Sequence, residues 1–305
     1  MRTTHLLAAL VGLFAFFAVA LYDEGFTSQT NLLNIVRQTA PVTVMAVAFV
    51  FVLSAGQIDL SIGAVVALSG LVTARLLQSA SVVPAVAVGL GVGVAAGALN
   101  GLLVTLLRLP PFLVTLASLG IVTGLARTIS DLRSVAIAND GFTTVFGSGD
   151  LGPVPGLAVW ALGAVALGHF GLNHTRFGAH VLATGDNAAA ARVACIRVER
   201  VRFAVLTLSA TAAALAGILY AGRLGGATYT VGESDLLVVI AATVIGGTRL
   251  FGGEGSVIGA LLGSLFLGTL TNGLILWGLS ASEQMIAEGV LLALAISLTL
   301  REAAS

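Results

Sequence analysis

The chain has 305 residues, 57% hydrophobic and only 9% charged, with a formal net charge of zero. Soluble domains carry about 25% charged residues, so this composition has too few polar groups to cover a water-facing surface. It excludes a disordered segment, a coiled coil and a disulfide scaffold, and the neutral balance leaves no basic footprint for nucleic acid.

Apolar runs near twenty residues follow one another almost end to end, as bilayer-spanning helices require. The expected class is an all-α, polytopic membrane protein forming a single transmembrane domain over 1–305. The first candidate span is 5–21, behind Arg2. Ala18-Val19-Ala20 also fits a signal-peptidase site, but the many spans that follow favour an uncleaved first helix. Further candidates are 41–55, 59–77, 84–106, 112–128, 156–171, 204–221, 236–247, 257–276 and 284–300, about ten in all. The two long connections are 129–155 and 172–203.

All fourteen basic residues are arginine and the chain has no lysine. A P-loop needs its lysine on the nucleotide phosphates, so this chain holds no Walker A site and no Schiff-base chemistry. If ATP drives it, another chain hydrolyses the nucleotide. Cys195 is the single cysteine and makes no intrachain disulfide. His5, His169, His174 and His180 show no zinc-ligand spacing. No metal, cofactor or catalytic residue is expected, and the histidines read as solvated loop residues.

Loop 172–203 carries Arg176, Arg192, Arg197, Arg200 and Arg202 against Asp186 and Glu199. Positive loops stay in the cytoplasm. With this loop inside, Arg2, Arg108, Arg249 and Arg301 also fall inside, while Asp23, Glu24, Asp131, Asp140, Asp150, Glu233, Asp235 and Glu283 fall outside. An even number of spans with both termini cytoplasmic follows, unless one short segment is re-entrant.

Gly89, Gly93, Gly97 and Gly101 recur every fourth residue on one helix face, and Gly255, Gly259 and Gly263 repeat the device. Small residues let helix backbones approach in lipid, so these positions are expected to pack helices within the subunit. Asp59-Leu60 precedes Asn100-Gly101-Leu102-Leu103 much as Asp235-Leu236 precedes Asn272-Gly273-Leu274-Ile275. The pattern suggests an inverted repeat, 41–128 against 204–300, a common transporter plan.

Asp59 is the most conspicuous ionisable group near a span. Such carboxylates are functional or paired, and capping the third span or touching substrate are both open for it. Glu288 in the last span poses the same question. Pro110-Pro111 mark the start of the fifth span, since proline suits a helix's first turn. Thr115, Ser118 and Thr123 then add hydroxyls along it, either to meet a polar solute or to join helices. Gly246-Gly247-Thr248 and Gly252-Gly253 flank Arg249 in a turn that needs positive φ.

Four ordered blocks carry a family resemblance. They are Ser54-Ala55-Gly56-Gln57-Ile58-Asp59-Leu60-Ser61-Ile62-Gly63; Gly97 to Leu103 running on to Leu109-Pro110-Pro111-Phe112-Leu113-Val114-Thr115-Leu116; Thr175-Arg176-Phe177-Gly178 with Ala183-Thr184-Gly185-Asp186-Asn187 and Ala190-Ala191-Arg192; and Ile245 to Gly253 with Gly255-Ser256-Val257-Ile258-Gly259. Together they resemble the ribose-type sugar permeases of bacterial ATP-binding-cassette importers.

The resemblance implies a type II importer-like fold in the bacterial plasma (inner) membrane. It also implies a second permease subunit, identical or paralogous, cytoplasmic ATP-binding subunits, and an extracytoplasmic solute-binding protein that delivers a simple sugar. It implies that the fifth span, with Thr115, Ser118 and Thr123, borders the substrate path, and Asp59, Asn100 and Asn272 are further candidates for that path. Coupling to the ATPase falls to a short helix in loop 172–203, through Arg176, Gly185, Asn187, Ala190, Ala191 and Arg192. Locally, Asn187 can cap that helix, Ala188 to Ala191 are strong helix formers, and Arg192 offers a charge to an acidic partner. The chain departs from the pattern where Ala188 and Ala189 replace glutamate and Cys195 replaces glycine, which puts the acidic contact in doubt. The rival readings are a branched-chain amino acid permease and an ion-coupled secondary transporter.

Overall fold

A computed structural model describes the backbone of residues 3–304; Arg2 and the side chain of Arg301 lie outside the described residues. The described chain is built from α1 (Thr3–Ala20), α2 (Gln29–Ser54), α3 (Ile62–Leu76), α4 (Val82–Leu106), α5 (Pro111–Ser130), α6 (Asp140–Phe146), α7 (Gly156–Asn173), α8 (Arg176–Asp186), α9 (Ala188–Val193), α10 (Val198–Leu224), α11 (Asp235–Ile245), α12 (Val257–Leu276) and α13 (Ala281–Ala304). Two small antiparallel ribbons join them. One pairs β1 (Val135–Ala136) with β4 (Gly226–Ala227), and the other pairs β2 (Asp150–Leu151) with β3 (Val154–Pro155).

Six helices, α2, α4, α5, α7, α10 and α12, are long and apolar enough to cross a membrane, and α1, α3 and α11 supply shorter apolar helices. Large apolar side chains such as Val11, Val83, Ile121, Leu167 and Phe170 are exposed on the outer helices. Water would penalise so continuous an apolar surface; lipid accepts it. The chain is a polytopic, all-helical membrane protein.

The core lies around α2 and α10. The apolar window of α2 is 83% buried against 22% for that of α4, which fixes α2 at the centre and α4 at the rim. Helix α10 packs on α2, α3 and α4, while α2 packs on α7, α11 and α12. Helix α3 also touches α4 and α5, and α11 touches α12 and α13.

Several boundaries differ from the sequence reading. Helix α2 begins at Gln29 rather than at residue 41, because polar residues satisfied by tertiary partners disguise its first three turns. Ser28 Oγ accepts from the Asn31 N–H, Arg37 bridges to Asp150 at 2.7 Å, and Asn31 exchanges amide hydrogen bonds with Asn272, each 2.9 Å. Pro41 sits inside the helix without ending it. Helix α3 starts at Ile62 rather than residue 59, and α11 is only 11 residues long. Neither long connection is bare: 129–155 folds α6 and a ribbon, and 172–203 folds α8 and α9.

The glycine reading holds. A Cβ on Gly97 would lie 2.6 Å from the Thr207 Cα, and one on Gly101 would lie 2.7 Å from the Phe203 ring. Gly93 meets Ala210 and Ala214, and Gly89 faces Thr73 and Ile218. Gly259 and Gly263 meet Gly246 and Ala242 of the α11 end, and Gly255 meets Ser54 and Val50 of α2. Without a side chain on either α4 or α12, the partner backbone moves in and dispersion contacts multiply.

Gly91, on the same helix, has nothing within 4 Å. Gly97→Leu is therefore expected to lower the thermal midpoint of the purified protein, by about 1–3 kcal/mol of overpacking. Gly91→Leu should leave the midpoint near that of the wild type in the same detergent scan.

Candidate functional site

The elbow between α7 and α10 is shaped by local capping. Thr175 Oγ1 accepts from the Gly178 N–H at 3.2 Å and starts α8. Asn187 both ends α8 and starts α9, its Oδ1 accepting from the N–H groups of Ala189 and Ala190, each at 3.0 Å. These bonds satisfy donors that a helix start leaves free. Ala191 turns into the protein, while Arg176, Ala190 and Arg192 stay exposed.

Arg192 is not a free charge. Its Nη2 lies 2.7 Å from Glu199 Oε1 in the first turn of α10. The chain thus supplies an acidic partner for Arg192 itself, from the residue where α10 folds back beside α9. Cys195 makes that return with φ of 62°, a left-handed conformation that suits glycine.

The elbow rests on two other parts of the bundle. Gly185 lies against Ser54 at the end of α2 and against Gly253 in the α11–α12 turn. The Gly253 N–H donates to the Ser54 carbonyl at 3.0 Å. Gly247, Gly252 and Gly253 have φ of 91°, 96° and 86°, so this turn uses the positive φ expected of it. A Cβ on Gly252 would lie 2.7 Å from the Gly185 carbonyl oxygen.

A second cluster is buried between the start of α3, α4 and α10. Asp59 has no exposed surface. It does not cap α3; its Oδ1 closes a turn by accepting from the Ser61 N–H at 3.0 Å and the Ser61 hydroxyl at 2.6 Å. Asn100 Nδ2 donates to the same hydroxyl at 3.1 Å. Ser209 of α10 faces the Asp59 carboxylate, although no hydrogen bond of ordinary geometry closes between them, and Asp59 Oδ2, Asn100 Oδ1 and Ser209 Oγ have no partner. Thr115 adjoins this cluster, its hydroxyl donating to the Pro111 carbonyl at 3.0 Å and lying 3.4 Å from that of Ile58.

Of the expected path residues, the fold brings Asp59, Asn100 and Thr115 together. Ser118 is buried one turn along α5, bordering a groove toward α4, and Thr123 is half-buried farther along. Asn272 is elsewhere, paired with Asn31. The sequence reading missed Ser61, which stands inside a quoted block, and Ser209, which no local signal marks.

It also placed Asp235 in an outer segment. In the fold Asp235 borders a cavity of about 230 Å³ between α2, α10, α11, α12 and α13, with Gln38, Tyr220, Gln284 and Glu288. Thr271 donates to Glu288 Oε1 at 3.0 Å. Among the described residues no group of histidine, cysteine and carboxylate side chains is arranged to hold a metal ion.

A lipid-facing helix bundle with a capped elbow and buried polar clusters defines a polytopic membrane protein, and the comparisons with known proteins make it a transport protein. The chain belongs to the family described as "Branched-chain amino acid transport system / permease component", which matches residues 31–297. It is similar to the ribose import permease protein of Escherichia coli (strain K12), with 38% identity covering 91% of this chain and 88% of that one. The D-allose transport system permease protein of the same strain is 34% identical, covering 97% and 90%. The fructose import permease protein of Rhizobium meliloti is 36% identical, covering 92% and 81%. No solved structure matches the chain.

Cys195→Gly should relieve the left-handed strain and raise stability by about 1 kcal/mol, read as a higher thermal midpoint. Asn187→Ala should act oppositely, at a cost of about 1 kcal/mol, with faster amide exchange confined to residues 188–193.

Proposed function

We propose that the chain is the permease subunit of an ATP-binding-cassette importer for a simple sugar, a pentose or hexose, and that a separate subunit hydrolyses the ATP. The observation that carries this is the near full-length similarity to permeases named for ribose, D-allose and fructose import. The family description names branched-chain amino acids, and that is the runner-up cargo. The chain's partners in this reading are a second permease subunit, cytoplasmic ATP-binding subunits and an extracytoplasmic solute-binding protein.

The α8–α9 elbow is the surface we assign to the ATPase. Arg176, Gly185, Asn187, Ala190, Ala191 and Arg192 form it, with docking governed by the shape of the capped α9 rather than by a free arginine. Its support on both α2 and the α11–α12 turn gives a rigid route for force into the bundle. Asp59, Asn100, Thr115, Ser118 and Thr123 are assigned to the substrate path, and Asn272 to helix joining beside it.

Ten crossings are inferred: α1, α2, α3, α4, α5, α7, α10, α11, α12 and α13. Both termini are cytoplasmic in this reading, in a bacterial plasma membrane. The arginine distribution supports it. At the elbow's end of the bundle Arg108, Arg176, Arg197, Arg200 and Arg202 form no ion pair among the described residues, whereas at the other end Arg37, Arg75 and Arg127 lie beside Asp150, Asp131 and Glu233.

An inverted repeat of α2–α5 against α10–α13 is supported by the packing. Exchanging the two sets turns α10 on α4 into α2 on α12, α10 on α3 into α2 on α11, and α3 on α5 into α11 on α13. Each of these contacts occurs.

Vesicles carrying the permease, its ATPase and its binding protein should accumulate a labelled pentose or hexose with ATP and should not accumulate leucine. The permease alone should accumulate neither; accumulation driven by an ion gradient overturns the proposal. Arg176→Asp with Ala190→Asp, both at exposed positions of the elbow, should abolish both transport and transport-stimulated ATP hydrolysis while the thermal midpoint stays within a few degrees. Unchanged transport removes the elbow assignment.

A further inference from the structure

At the elbow's end of the bundle a cavity of about 530 Å³ opens between the α4–α5 connection and the start of α10. Arg108, Arg192, Arg202 and Glu199 line it, together with Gln57 and Thr105. Glu199 is already held by Arg192, so two positive charges face this space uncompensated. Arg202 Nε is buried without an acceptor. Arg108 holds φ of 53°, a conformation that a non-glycine residue rarely adopts. Collecting like charges in one partly buried space is unfavourable at short range unless an anion fills it.

The cavity is not isolated. It shares Leu109 with a groove of about 610 Å³ between α4 and α5. That groove is lined almost wholly by apolar side chains, among them Leu99, Leu103, Leu113, Ile121 and Leu125, most of them exposed at its rim, while Asn100 and Ser118 of the proposed substrate path are buried in its wall. A basic recess therefore caps one end of an apolar channel that lies along the bundle surface.

We infer that this pair of features binds an anionic phospholipid, with its phosphate among Arg108, Arg192 and Arg202 and an acyl chain in the α4–α5 groove. Guanidinium groups hold phosphate oxygens through paired N–H donors, and basic recesses between membrane helices take anionic headgroups. A free phosphate would satisfy the arginines alone. The adjoining apolar groove is what favours a lipid over it. Because α9 and α10 both contribute arginines, a bound headgroup would tie the elbow to the α4–α5 connection.

The test is the thermal midpoint of the delipidated full-length permease, titrated separately with dioleoylphosphatidylglycerol, dioleoylphosphatidylcholine and inorganic phosphate. Phosphatidylglycerol should raise the midpoint saturably, and the other two should not. Arg108→Gln with Arg202→Gln should weaken the phosphatidylglycerol response roughly tenfold or more, and Ala117→Trp, which fills the groove, should weaken it with the arginines intact. Equal stabilisation by the two lipids overturns the headgroup assignment. Stabilisation by phosphate as strong as by phosphatidylglycerol overturns the lipid. Should the substituted proteins fail to fold, the three wild-type titrations still decide.

Discussion

Close backbone approach at glycine is the interaction on which this structure depends. Lipid gives helices no hydrophobic reason to associate, because its tails are as apolar as leucine. What remains is contact, and contact between backbones requires that one side chain be missing. Gly93, Gly97 and Gly101 bring α4 onto α10, and Gly259 and Gly263 bring α12 onto α11. Gly185 and Gly252 set the elbow against the α11–α12 turn by the same means. The elbow and the packing of α4 on α10 and of α12 on α11 are positioned by these contacts.

The elbow shows how local and long-range chemistry combine. Its two helices are begun by side-chain caps at Thr175 and Asn187, features set by neighbours in sequence. Its position is set by residues far along the chain, since Ser54 and Gly253 lock together beneath Gly185. The charge pattern is also a long-range outcome. Where alanines stand at 188 and 189 no acidic side chain flanks Arg192 on α9, and Glu199 from the next helix takes that place. A surface that reads as an unpaired cation is in fact internally compensated at Arg192.

Two carboxylates inside the bundle are met by hydroxyl groups, Asp59 by Ser61 and Glu288 by Thr271, whereas Asp235 Oδ2 has no partner. A bare carboxylate in this environment is costly, and hydroxyl donors reduce that cost without introducing a second charge. Asp59 still keeps one oxygen without a partner, as does Asn100, so the α3–α4–α10 cluster is incompletely satisfied. That incomplete satisfaction in an otherwise close-packed bundle is what supports the proposed assignment of this cluster to the substrate path.

Composition and apolar run length settled the membrane class, and glycine spacing settled which faces of α4 and α12 are packed, because both depend only on residue type and helical period. The capped start of α9 and the positive-φ turn at Gly247, Gly252 and Gly253 were legible for the same reason: their partners are a few residues away. The early start of α2 was not, since Asn31 and Arg37 are stabilised by Asn272 and Asp150, more than a hundred residues distant. Asp235 reads as a loop carboxylate in sequence and becomes a cavity wall only when α2, α10, α12 and α13 close around it. Residue chemistry and local period determined what each segment is; which polar groups meet was decided by contacts between segments that sequence order does not bring together.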